Sequence, residues 1–176
     1  NPKAKQRIVL AAHYDSKLVA LDSKPGEEGL FVGATDSALP CAMIVELCRA
    51  FAPTTNDDVT LQAVFFDGEE AIVNWTASDS LYGSRHLAQM WSANNGNPLD
   101  FNLQNMRLFV LLDLLGAARP RIPTYSDVSR KEFLQLVDIE SRLTLSGAIH
   151  NKPSTKAHQY FQYIERVGEG LHVLDD

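Results

Sequence analysis

Three apolar runs of the chain end in residues that can do chemistry. Ala11-Ala12-His13-Tyr14-Asp15 closes the first, Phe65-Phe66-Asp67-Gly68-Glu69-Glu70 the second and Leu111-Leu112-Asp113 the third. A further acid, Asp36, stands where a helix should start. Taken singly, most have an ordinary structural use: His13 and Asp15 at a strand end, Asp36 as an N-cap, Asp67-Gly68 as turn chemistry, and Glu69-Glu70 as a solvated pair. Asp113 is harder to place this way. Five apolar residues precede it and two follow, and an ionised carboxylate buried there is costly unless paired or bound to a cation.

The set carries more than its members. His, Asp and Glu are zinc ligands. If three strands run parallel and end at one face, His13, Asp36, Glu70 and Asp113 can converge on one cation, which relieves the repulsion among their carboxylates. Glu69 and Glu70 are adjacent. On a helical turn their side chains diverge by about 100°, so one can bind metal while the other faces substrate as a general base. Spacing alone points to a metal hydrolase. There is no G-x-S-x-G, H-E-x-x-H or phosphate loop, and Gly168-x-Gly170 lacks the third glycine of a nucleotide fingerprint.

The elements that must position these residues are legible as alternating strands and helices. Arg7–Ala12, Thr60–Phe66 and Arg107–Leu112 read as buried strands. A helix is expected from Asp36 or Ser37 to about Phe51, with Pro40 tolerated in its first turn, and another from about Ser80 to Ser92. A third is expected after the capping-box pattern Ser129-x-x-Glu132, with Phe133, Leu136, Val137 and Leu143 on one face. The region around Pro120 and Pro123 reads as loop, and the tail after Gly147 shows no pattern. This order predicts an α/β domain with a largely parallel sheet, whose site lies beyond the carboxyl ends of the strands.

Composition narrows the classes. At 176 residues the chain is of single-domain length, with 45% hydrophobic and 22% charged residues, which argues against a disordered tail or a disulfide miniprotein. Its formal net charge of −6 disfavours general nucleic-acid binding. No apolar run reaches membrane-spanning length. No signal peptide is visible, but the first residue is Asn1, so targeting is unreadable rather than absent. Cys41 and Cys48, if on one helix, lie about 10 Å apart, beyond disulfide reach.

Three ordered stretches carry a resemblance: HYDSKL (His13–Leu18), FVGATDSALPCA (Phe31–Ala42) and FFDGEEA…W…DSLYGSRHLA (Phe65–Ala88), joined by LLDLLGA (Leu111–Ala117) and the closing Asp175-Asp176. Together they resemble the animal-type glutaminyl-peptide cyclotransferases, which are similar in fold to zinc aminopeptidases of the M28 type. The resemblance implies a three-layer α/β domain, its central, mixed but largely parallel sheet flanked by helices. It implies one zinc ion per complete site, and conversion of N-terminal glutamine, or glutamate, of peptides and proteins to pyroglutamate. By the same resemblance, Asp36 and Glu70 match zinc ligands, Glu69 the general acid/base, Asp113 and Asp175 acids of the catalytic hydrogen-bond network, and Trp75 an aromatic wall of the substrate pocket. Location in the secretory pathway, secreted or in the Golgi lumen, is implied in the same way.

Departures from the family are equally specific. The family's third zinc ligand is a His downstream of the Asp-Asp pair, and the family has an N-terminal segment before the first strand. Residues 1–176 are therefore expected to form a single catalytic domain that is partial at both ends and inactive alone. The family's cysteine pair falls here at Cys41 and Ala12, so that disulfide is not available, and Leu174 stands where a Gln is common. A sequon, Asn74-Trp75-Thr76, is expected to stay unmodified. Two alternatives remain open: a zinc aminopeptidase of the same fold, in which His13, Asp36 and Asp113 complete a second metal site, and a binding-only or incomplete homologue.

Overall fold

The computed structural model describes residues 4–17, 32–51, 58–93, 103–118, 120–124, 126–149 and 160–162. The chain divides into two compact units, Asn1–Ala117 and Ala118–Asp176.

The first unit is built on a parallel sheet. Strands β1 (Gln6–His13), β2 (Val59–Phe66) and β3 (Met106–Leu111) pair in the order β2-β1-β3, with β1 central and both pairings parallel. The three predicted strands thus form within a residue of their expected bounds. β1 is the apolar heart of the unit, since Val9, Ala11 and Ala12 have no exposed surface and Leu10 almost none. A strand covered on both faces reads as a continuous apolar run, and RIVLAA is one. Helix α1 (Leu39–Phe51) lies against this sheet, its Ile44 packed with Leu10 and Ala12. Helix α2 (Tyr82–Ser92) follows β2. The result is an α/β fold with a parallel sheet flanked by helices.

Register delivers the chemistry to one edge. His13 pairs with Phe66 and Ala11 with Leu111. The residues just beyond β2 and β3, Asp67 and Asp113, therefore emerge at the level where β1 ends in His13.

Two helix starts differ from expectation. α1 begins at Leu39, after a kinked turn at Ala34–Ala38 entered through Gly33, whose φ of 57° suits glycine. Asp36 and Ser37 keep non-helical backbone there, and the Asp36–Ser37 peptide is cis. Neither caps the helix, because their side chains are committed elsewhere. α2 starts at Tyr82 rather than Ser80, whose hydroxyl donates to the Thr76 carbonyl at 2.7 Å.

In the second unit, α3 (Arg130–Leu145) is preceded by a short 3₁₀ turn, Asp127–Ser129. The capping box does not form. Ser129 donates to the Ser126 carbonyl, and Ser126 takes over the capping of the turn by accepting from the Val128 amide at 3.2 Å. The predicted apolar face is also shifted. Phe133 and Val137 are half-buried, but Leu136 and Leu143 are exposed, and the buried residue of α3 is Glu140. Its carboxylate accepts from the amides of Tyr160 and Phe161 at 2.7 and 2.9 Å, fixing the start of strand β5 (Phe161–Gln162), which pairs in parallel with β4 (Ile122–Pro123). Phe133 and Phe161 meet edge to face at 5.9 Å. Where proline and a patternless tail suggested loop, there is a short strand pair.

Candidate active site

His13 ends the central strand and is 2% exposed. Its Nε2 lies 2.7 Å from Asp36 Oδ1 and 3.3 Å from Asp113 Oδ1, and its Nδ1 lies 3.0 Å from the Asp15 carbonyl oxygen. Both ring nitrogens thus face acceptors. Burial pushes the imidazole pKa down, but the Asp113 hydrogen bond and the charges of Glu69, Asp113 and Asp36 outweigh it and raise the value to about 9. Asp113 moves the opposite way. The His13 contact, a 2.8 Å hydrogen bond from Ser37 Oγ and the Leu114 amide together hold it below its ordinary range against the effect of burial. The apolar flanks of Asp113 pointed to an acid needing a partner, and these are its partners.

The two glutamates sit in an irregular bend after Gly68, not on a helical turn. Asp15 fixes that bend. Its carboxylate accepts from the Glu69 amide at 3.1 Å and from the Glu70 amide at 3.0 Å. The Glu69 carboxyl is pushed up to about 7, first by burial and then by Asp113, Glu70 and Asp36, with His13 opposing. Glu70 is also raised, by burial and then by the charge of Asp36. His13, Asp36, Glu69, Glu70 and Asp113 therefore share one electrostatic neighbourhood.

Among the described residues, His13, Asp36 and Asp113 each offer a ligand atom, all within 4.8 Å of one another. One imidazole nitrogen and two carboxylate oxygens suit a divalent cation such as zinc. The Asp15 carbonyl on Nδ1 would leave Nε2 free to coordinate, the usual role of a second partner on a ligating histidine. Glu70 borders this group without belonging to it.

Beside Glu70 opens a cleft of about 540 Å³, bounded by Asp15, Asp67, Ile72, Tyr82 and Gly83 among others, within the range of small-molecule pockets. The segment 67–83 that forms much of it is closed at its base, where the amides of Leu81, Tyr82 and Gly83 donate to the carbonyls of Glu69, Gly68 and Asp67. Gly83 is required there, because a Cβ would run into the Asp67 carbonyl oxygen. Trp75 is 55% exposed on this segment, and Asn74 of the sequon is exposed as well. Asp175 and Leu174 lie outside the described residues.

Three participants had no part in the site assigned to them from sequence. Ser37 read only as an alternative helix cap to Asp36. Asp15 had one signal, the two-residue spacing from His13 that returns a side chain to the same side of an extended chain. Asp79, which organises the segment after Glu70, entered only as the first residue of the DSLYGSRHLA stretch.

Peptidase family M28 matches residues 1–165, and the chain belongs to that family. The relatives and solved structures it resembles are glutaminyl cyclases. The chain is 44% identical to a glutaminyl-peptide cyclotransferase of Boiga irregularis, over 92% of its own length and 46% of the relative's. It is 40% identical to that of Bos taurus, over 100% and 50%. The crystal structure of Macrostomum lignano glutaminyl cyclase superposes with a TM-score of 0.74 at 40% identity, covering 97% of this chain and 52% of that one. The chain spans about half the length of the curated relatives it matches.

Proposed function

We propose that the protein to which this chain belongs cyclises N-terminal glutamine, or glutamate, of peptides and proteins to pyroglutamate, releasing ammonia from glutamine, with zinc as cofactor. The observation that supports this most is the bend after β2, where Asp15 pins the amides of Glu69 and Glu70 so that both carboxyls share one electrostatic neighbourhood with Asp36, and Glu69 with Asp113 as well. In this reading Asp36 and Glu70 would help hold zinc, which when bound supplies polarisation of the substrate's γ-carboxamide oxygen. Glu69 accepts a proton from the α-amine as its nitrogen bonds to the γ-carboxamide carbon. It returns that proton to the amide nitrogen as the carbon–nitrogen bond breaks and ammonia leaves. Asp113, braced by Ser37 and His13, and Asp175 serve the hydrogen-bond network, while Trp75 walls the seat of the substrate side chain. Holding amine and amide of one flexible side chain together supplies much of the acceleration.

We further propose that residues 1–176 are part of one catalytic domain and that the protein works in the secretory pathway. Nucleic acid is not among the partners proposed. No helix among the described residues is long and apolar enough to cross a membrane.

The full-length protein should release ammonia from a glutaminyl peptide and lose that activity to a zinc chelator. Removal of N-terminal residues without pyroglutamate formation would sink the reading. That outcome defines the second reading, an aminopeptidase, which the three-donor set of His13, Asp36 and Asp113 favours. Two zinc ions per protein would support it, and one the cyclase.

A further inference from the structure

The segment between Glu70 and α2 is organised by a single side chain. Asp79 Oδ1 accepts from the Ile72 amide at 2.8 Å and from the Tyr82 hydroxyl at 2.8 Å. Its Oδ2 accepts from the amides of Val73 and Asn74 at 2.9 and 2.8 Å. Asp79 is itself seated by Thr76, whose Oγ1 accepts from the Asp79 amide at 2.9 Å. Arg85 adds a brace from α2, donating to the Ser78 carbonyl and stacking over the Tyr82 ring at 5.3 Å.

Two of the groups that Asp79 holds, Ile72 and Tyr82, line the cleft beside Glu70 from opposite ends of the segment. A third, Asn74, precedes Trp75. Three successive amides converging on one point form a concave donor site. Only a group that accepts without donating satisfies all of them, and an ionised carboxylate is such a group.

We propose that Asp79 is a positioning residue for the substrate cleft. It clamps the Ile72 and Tyr82 walls to one another and fixes the backbone that presents Trp75, and so sets the width of the seat next to Glu70. The proposal rests on the cyclase reading for what the seat receives, but not for the clamp itself. Asp79 touches neither substrate nor metal in this scheme. Its loss should therefore weaken the fit of substrate while leaving the proton-transfer step and the cation in place.

The test is Asp79→Asn in the full-length protein, with Tyr82→Phe as the milder variant that removes only one of the four bonds. Asparagine keeps the shape but turns a donor toward the amides. KM for a glutaminyl peptide should rise about tenfold with kcat within about threefold and zinc content unchanged. Exchange of the Ile72, Val73 and Asn74 amides should accelerate at least about tenfold, and Tyr82→Phe should move KM in the same direction by less. An unchanged KM alongside faster exchange would overturn the proposal, as would unchanged exchange or a loss of zinc together with kcat. If the unsubstituted protein releases no ammonia, the cyclase reading fails by itself. The same KM comparison is then made for release of N-terminal residues, and the clamp stands or falls on that result.

Discussion

Among single residues, Glu69 is the sharpest test of the site. Its amide is pinned by Asp15, while its carboxyl is pushed up to about 7, first by burial and then by the surrounding acids, against the pull of His13. A group near neutrality both takes and returns a proton efficiently. Glu69→Gln keeps the shape and the amide contact, so turnover should fall by about 10²–10⁴ while bound zinc, measured by atomic absorption, is retained. Loss of the metal from this variant would mean that Glu69 and Glu70 have been given each other's roles. Most of the site's acids were visible in the sequence because an acid at the end of an apolar run is conspicuous. The roles of Ser37 and Asp15 were not, because a hydroxyl or an acid beside a loop is ordinary until its tertiary partner is known.

Among elements, the three strands were legible because apolar continuity and parallel burial are local facts. The starts of the first two helices were not, nor was the failure of the side-chain cap of the third. Asp36, Ser37 and Ser129 all look like caps, and each gives its side chain to a different partner. The segment 67–83 shows how much such contacts decide. Gly83→Ala would push a Cβ into the Asp67 carbonyl, and it should cost about 1–3 kcal/mol, read from the denaturation midpoint. The Asp79 carboxyl is held well below the ordinary carboxylate range, chiefly by the amides of Asn74 and Ile72 and by the Tyr82 hydroxyl. A depressed folded pKa means the stabilisation is present above the unfolded value, near 3.9, and is lost only as pH falls through the lower folded one. Protection of the Ile72–Asn74 amides, corrected for intrinsic exchange, should therefore persist from pH 7 down to about 4 and fail only in stronger acid. Protection already lost between about pH 6 and 5 would show that a different group holds this segment.

At the level of the whole molecule, the fold class and family membership followed from motif order. The apolar surface left open did not. Leu111 at the end of β3 is 58% exposed and Leu114 just beyond it 66%, which is unusual beside a parallel sheet, where both faces are normally covered. Since the chain spans about half the length of its curated relatives, residues 1–176 expressed alone should cyclise no peptide and should bind a hydrophobic dye more strongly than the full-length protein. Robust ammonia release by residues 1–176 alone would contradict this. The parallel order β2-β1-β3 also has a consequence for folding. Parallel neighbours cannot be made by a local hairpin, so each pairing closes a long stretch of chain, and such closures are slow. His13, Asp36 and Asp113 come into ligating range only once β1 and β3 have docked and the turn before α1 has settled. A cation added during refolding would then find its donors only after that docking, and its binding signal would time the pairing of β3 with β1.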